Sequence, residues 1–180
     1  IPVSTIGTAD GYKTGGLVGH LGEESFVYAS YATGNVTAQD NNDIGGLIGY
    51  INSGTVLGCY ASGTVSASSS TYVGGLVGQN PYEGTISYCA TTSATGTAAK
   101  GDPNGTDYTG IGANSATVTG CYGNISSYAD IYNYITPAAA ETAWETARTN
   151  LPDSYAGKTK TLGELWQTAT TSGLKLYWEK

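Results

Sequence analysis

Methionine is absent from this 180-residue chain, phenylalanine and histidine occur once each, and charged side chains make up only 12% of it. Without Met the chain as given does not begin at a translation start, so it is expected to be a mature product or an excised piece. Between Lys13 and Lys100 there is no Lys or Arg, while Glu23, Glu24, Asp40, Asp43 and Glu83 fall in that stretch and the net charge is −7. Such a surface repels phosphate backbones, which argues against a nucleic-acid partner, and anionic membrane surfaces are disfavoured for the same reason. There is no run of 18 apolar residues, and no basic segment followed by an apolar one opens the chain. Neither membrane insertion nor a signal peptide is expected in this segment, and any export signal has been removed or lies upstream.

What is present is equally lopsided. Twenty-seven Gly and fifteen Tyr accompany an apolar content drawn from β-branched and small residues, a mixture that favours strands and tight turns over helices. A chain of this length can bury roughly two-thirds of its unfolded surface, enough for one domain, or one domain and an appendage.

Repetition organises the first two-thirds. GGLVG at 15–19 returns as GGLIG at 45–49 and GGLVG at 74–78, spacings of 30 and 29, and YATGNV at 31–36 returns as YASGTV at 60–65. Val27, Val56, Ile86 and Val118 form a third recurring column, and CYASG at 59–63, YCATT at 88–92 and CYGNI at 121–125 are versions of one motif. Read at period two, Ile44, Gly46 and Ile48 share one strand face with Leu47 opposite, so either the strands are covered on both sides or a corner falls inside the motif. The glycines suit bends that need a positive φ or leave no room for a side chain.

A unit of about 30 residues that bends several times and repeats its apolar columns is most simply one coil of a β-solenoid, because each coil buries little alone and stacking buries the column. The expected fold is therefore mainly β: a β-helix-like solenoid of about four coils over residues 1–130, closed by a small α-containing C-terminal cap over 131–180. The alternative is an antiparallel β-sandwich with regular turn spacing. In the cap, Thr136 and Pro137 open a helix carrying Ala140, Trp144, Ala147 and Leu151 on one stripe, a second short helix follows Thr161, and LKLYW is a plausible last strand. All three Trp lie there, suited to covering an open solenoid end. IPVSTIG resembles the tail of an earlier coil, so the natural protein is expected to continue N-terminally.

The recurrence of Gly16-Leu17-Val18-Gly19, Gly46-Leu47-Ile48-Gly49 and Gly75-Leu76-Val77-Gly78, each of the first two followed by a Tyr-Ala-small-Gly stretch, resembles the GLUG repeat of bacterial surface and secreted proteins. The resemblance covers about residues 10–125 and weakens at YTGIGAN, 108–114, where the Leu is missing. It implies an exported, adhesin-like protein at the cell surface or outside the cell, and it brings no catalytic residues.

Candidate chemistry is sparse. Cys59, Cys89 and Cys121 occupy matching positions and are expected to stack as small buried hydrophobes. A disulfide between neighbouring repeats is sterically conceivable, although three thiols leave one over. His20 is the only imidazole, which disfavours a zinc site; beside Glu23 and Glu24 it is better read as part of a solvated turn than as a base. Asp102, Asn104 and Asp107 sit on a Gly-containing stretch that lengthens the third repeat by about six residues; oxygen ligands there suit calcium, with Asx-turn chemistry as the plainer explanation. Asp40-Asn41-Asn42-Asp43 admits the same two explanations. No other cofactor is expected; a carbohydrate-active enzyme would need a carboxylate pair or a cationic neutraliser in a groove, and the only Arg, Arg148, falls on the expected capping helix.

Binding remains. Tyr31, Tyr60 and Tyr122 recur at one position and are best explained as a packing ladder. Tyr12, Tyr50, Tyr72, Tyr82 and Tyr108, with Tyr128, fall near turns among Asn, Thr and Ser, where aromatic faces beside amides and hydroxyls suit a glycan or an extracellular protein ligand. The expected function is a non-catalytic adhesin-like binding module, with a passive spacer repeat as the alternative and a carbohydrate-active β-helix enzyme as the second. The oligomeric state is not legible.

Overall fold

A computed structural model describes residues 3–6, 13–39, 43–67, 72–93 and 117–123. The chain divides into two units, Ile1–Ile125 and Ser126–Lys180. The expected helices, the last strand and the whole C-terminal cap lie outside the described residues, as does the boundary at 130.

Strands of two to four residues follow one another between bends. β1 is Val3–Ile6; then come β2 (Lys13–Gly15), β3 (Val18–Leu21), β4 (Phe26–Tyr28), β5 (Tyr31–Ala32) and β6 (Val36–Gln39). The same five-strand series recurs as β7 (Asp43–Gly45), β8 (Ile48–Ile51), β9 (Thr55–Leu57), β10 (Tyr60–Ala61) and β11 (Val65–Ala67). It continues with β12 (Tyr72–Gly74), β13 (Val77–Gln79), β14 (Thr85–Ser87) and β15 (Ala90–Thr91), and then β16 (Thr117–Thr119) and β17 (Tyr122–Gly123). Strands this short hold almost no structure alone. Each finds its partner one repeat away: β2, β7 and β12 form one sheet, β3, β8 and β13 a second, β4, β9, β14 and β16 a third, β5, β10, β15 and β17 a fourth, and β1, β6 and β11 a fifth.

Every pairing among the described residues is parallel and joins equivalent repeat positions, such as Gly15 with Gly45 and Gly45 with Gly74. Parallel neighbours require a long crossover between them, and the rest of the repeat supplies it. Mainly parallel, unclosed sheets of this order are consistent with a β-helix or solenoid-like fold. The antiparallel sandwich is not what these residues form, because hairpin neighbours would pair in opposite directions and none of the described pairs does.

The bend inside the Gly-Gly-Leu motif decides the question of faces. Between Gly45 and Ile48 the strand breaks, so Leu47, Ile48 and Ile51 join one fully buried cluster with Val56, Cys59, Leu76, Val77 and Ile86. Ile44 goes to a second cluster with Val36, Ala38, Val65, Ala67 and Val73. Each fully buried Leu, Ile or Val contributes about 1.5–3 kcal/mol relative to exposure. The column Val27, Val56, Ile86 and Val118 stacks in register as the repeat spacing requires.

The motif glycines are needed for space and not for a left-handed backbone. A Cβ on Gly46 would run into the Gly75 carbonyl, and one on Gly49 would stand 2.6 Å from the Thr14 nitrogen and 2.7 Å from the Gly19 oxygen. Left-handed geometry occurs elsewhere, at Glu24 (φ 54) and Ser53 (φ 56) and in a column one residue before the Cys positions: Ala29 (φ 44), Gly58 (φ 65), Tyr88 (φ 50) and Gly120 (φ 60). Two of the four in that column carry side chains there, at a cost of about 1–2 kcal/mol each. From Thr85 to Thr117 the register spans 32 residues, against 30 from Thr55 to Thr85. The unit containing 102–107 is therefore longer by two residues net, against the six expected.

Candidate ligand-contact face

Two columns of polar and aromatic residues flank the motif bend. At the start of the first strand column Lys13, Asp43 and Tyr72 lie in register, and on the next column His20, Tyr50 and Gln79 do. Alternation sends Thr14, Ile44 and Val73 to the opposite face from Lys13, Asp43 and Tyr72. Because the bend folds the two columns against each other, residues from one reach those of the other. The Lys13 ammonium stands 4.4 Å from the Tyr50 ring centroid, within cation–π range, and His20 meets the same ring edge-on at 5.0 Å and 88°.

Asp43 is the electrostatic centre of this group. Only 3% of it is exposed, its Oδ2 lies 3.9 Å from the Lys13 Nζ, and its Oδ1 has no hydrogen-bond partner. Burial raises its pKa from 3.8 to about 6, and the Lys13 charge pulls the other way without overcoming it. A pair separated by 3.9 Å is too long for a good charge-assisted hydrogen bond, so desolvation wins. The Tyr50 hydroxyl is pushed up as well, first by burial, then by its neighbour Tyr82, and last by Asp43.

The turns after the second strand column stack on one another at 22–25, 52–54 and 81–84. The Thr55 amide donates to the Ser25 carbonyl and the Thr85 amide to the Gly54 carbonyl. Across the stack the Asn52 amide donates to Glu23 Oε1 at 3.4 Å, and within the first turn the Ser25 hydroxyl donates to the Glu23 carbonyl. Glu23, Glu24 and Glu83 are exposed there, and Tyr82 is 53% exposed.

Of the tyrosines expected at a contact surface, the structure brings Tyr50 and Tyr82 together and sets Tyr72, half-buried, one strand above Asp43. Tyr12, Tyr108 and Tyr128 lie outside the described residues, as do Asp102, Asn104 and Asp107 of the calcium loop, and Asp40 to Asn42. Sequence reasoning missed Lys13 and Asp43 as members of this group and treated His20 as a turn residue. Aligning the repeats at their 30- and 29-residue spacing places Lys13, Asp43 and Tyr72 in one column, and that signal was available. Among the described residues no group of three His, Cys, Asp or Glu is placed to hold a metal ion. No helix among them is long and apolar enough to cross a membrane.

The other two ladders are packing. Tyr31 and Tyr60 stack at 5.1 Å and 6°, with Tyr60 buried. The Cys59 amide donates to the Cys89 sulfur and the Cys89 amide to the Cys121 sulfur, each at 3.4 Å, and all three thiols are free. Burial pushes the Cys89 thiol well up; for Cys121 the Cys89 hydrogen bond does so first and burial second.

Compared with known proteins, residues 40–66 match the family model of the GLUG motif. That stretch runs through β7 to β11 and includes Gly46-Leu47-Ile48-Gly49. Searches of the curated proteins and of the solved structures gave no significant match.

Proposed function

Starting from a chain that carries the GLUG motif at residues 40–66, we propose a non-catalytic, adhesin-like binding module of an exported protein, displayed at the cell surface or released. The ligand class is a glycan or an extracellular protein. The repeats are taken as successive coils of a β-solenoid, which supplies a rigid body along whose side equivalent turns stack. No cofactor is required, and calcium enters only through the Asp102 to Asp107 loop.

The observation that carries the proposal is Tyr82. It stands half out of a turn, neighbours Tyr50, and through it adjoins the one place where Lys13, His20 and Asp43 converge. A half-exposed Tyr ring offers contact area at low cost in side-chain entropy. The second candidate, a passive spacer, has in its favour the sparse charge and the absence of any other such group among the described residues.

The test is binding of the purified protein to an array of glycans and extracellular-matrix proteins, once with calcium and once with chelator. Saturable binding to one ligand class is the expected result, and loss of it in chelator assigns a role to the calcium loop. Silence across the array moves the assignment to the spacer.

A further inference from the structure

Charge narrows the ligand class. Among the described residues Lys13 is the one Lys or Arg, and it is committed to Asp43 at 3.9 Å and to the Tyr50 ring at 4.4 Å. The exposed ionisable groups of the stacked turns are the carboxylates of Glu83, next to Tyr82 in the chain, and of Glu23 and Glu24, two turns along the stack. A sulfate, sialate or uronate approaching this turn therefore meets negative charge within a screening length of about 8 Å, with no spare Lys or Arg among the described residues to receive it. A sugar hydroxyl meets the reverse. Carboxylates accept its hydrogen bonds in the charge-assisted class, while the Tyr ring takes the C–H face of the sugar.

Apolar area argues in the same direction. The large hydrophobic side chains exposed among the described residues are Leu17 on the motif bend, Phe26 on β4 and Tyr82, so they are scattered over separate elements, and Tyr82 is the one on the stacked turns at 22–25, 52–54 and 81–84. A protein partner of ordinary size needs a buried cluster of anchors at the centre of its contact. A sugar needs one or two ring faces with polar groups at their edge, and that is what Tyr82, Tyr50, His20 and the turn carboxylates provide.

We infer that the stacked turns around Tyr82, with Tyr50 behind and the carboxylates of Glu23, Glu24 and Glu83 alongside, form a binding site for uncharged glycans. The inference rests on the binding-module proposal above. It differs from it in naming one face and one chemistry.

The experiment compares the full chain with Tyr82→Ala and Tyr82→Phe on neutral oligosaccharides, their sialylated and sulfated counterparts, and matrix proteins, at low and at physiological salt. Tyr82 is exposed, so both variants are expected to fold, and unchanged melting curves confirm it. Binding to neutral glycans that falls at least tenfold in Tyr82→Ala and survives in Tyr82→Phe supports the inference. Preference for the acidic glycans, binding to proteins alone, or neutral-glycan binding indifferent to Tyr82→Ala overturns it while leaving the binding module standing. No binding by the unaltered chain removes both.

Discussion

Alanine at Gly49 tests the explanation given for the glycine repeat. A Cβ placed there stands 2.6 Å from the Thr14 nitrogen, 2.7 Å from the Gly19 oxygen and 2.9 Å from the Thr14 carbonyl carbon, all backbone atoms of the neighbouring repeat. Ordinary contact begins near 3.4 Å, so β8 must back away from β2 and β3 by several tenths of an ångström or more. It has little freedom to do so, because β8 pairs with β3 through Val18–Ile48, His20–Tyr50 and Leu21–Ile51, and its other edge is held by Ile48 donating to the Leu76 carbonyl at 3.0 Å. Overpacking of this kind costs about 1–3 kcal/mol, and loosening one or two buried backbone hydrogen bonds adds about 1 kcal/mol each. The expected loss is about 3 kcal/mol, or a fall in melting temperature of about 6–12 °C for a protein of this size. Gly19→Ala, which meets a single atom of Lys13 at 2.9 Å, is expected to lose less. Gly22→Ala, with its nearest atom at 3.9 Å, is expected to stay within about 0.5 kcal/mol. Thermal or urea unfolding of the three variants reads the series, and equal melting for Gly49→Ala and Gly22→Ala would refute the claim that close backbone approach requires the motif.

Two further predictions follow from the buried ionisable groups. Asp43 titrates near 6 when folded and near 3.8 when not, so its contribution to stability is full below about pH 4 and is lost as the pH rises to about 6. Asp43→Asn should therefore match the unaltered protein at pH 4 and exceed it above pH 6 by up to about 3 kcal/mol, at roughly 1.4 kcal/mol per pH unit; parallel stability curves for the two proteins would contradict this. Cys59 and Cys89 are wholly buried and the Cys89 and Cys121 thiols are pushed well up, so thiol reagents at pH 7.5 should leave Cys59 and Cys89 unlabelled until the protein is denatured. Rapid native labelling of either, read by mass spectrometry, would show that the ladder opens.

The sequence by itself determined the repeat, its length and most of its columns. Gly15, Gly45 and Gly74, and likewise Val27, Val56, Ile86 and Val118, stack because residues one repeat apart must pair when the strands between are too short to pair with each other. The Tyr31–Tyr60 and Cys59–Cys89 contacts followed from the same spacing. Only the tertiary structure decided where the chain turns. Ile44 and Ile48 share a face at period two, yet the bend between Gly45 and Ile48 sends them into different cores, and a periodicity cannot report the bend that resets it. The same bend brings Lys13 across to Tyr50 and leaves Asp43 buried at a pKa of about 6. Contact between columns depends on how the chain bends between neighbouring sheets, and at the motif glycines the backbones approach too closely for a Cβ. The residues record the ladder in their spacing; the chemistry across ladders exists only once the glycines have let them close.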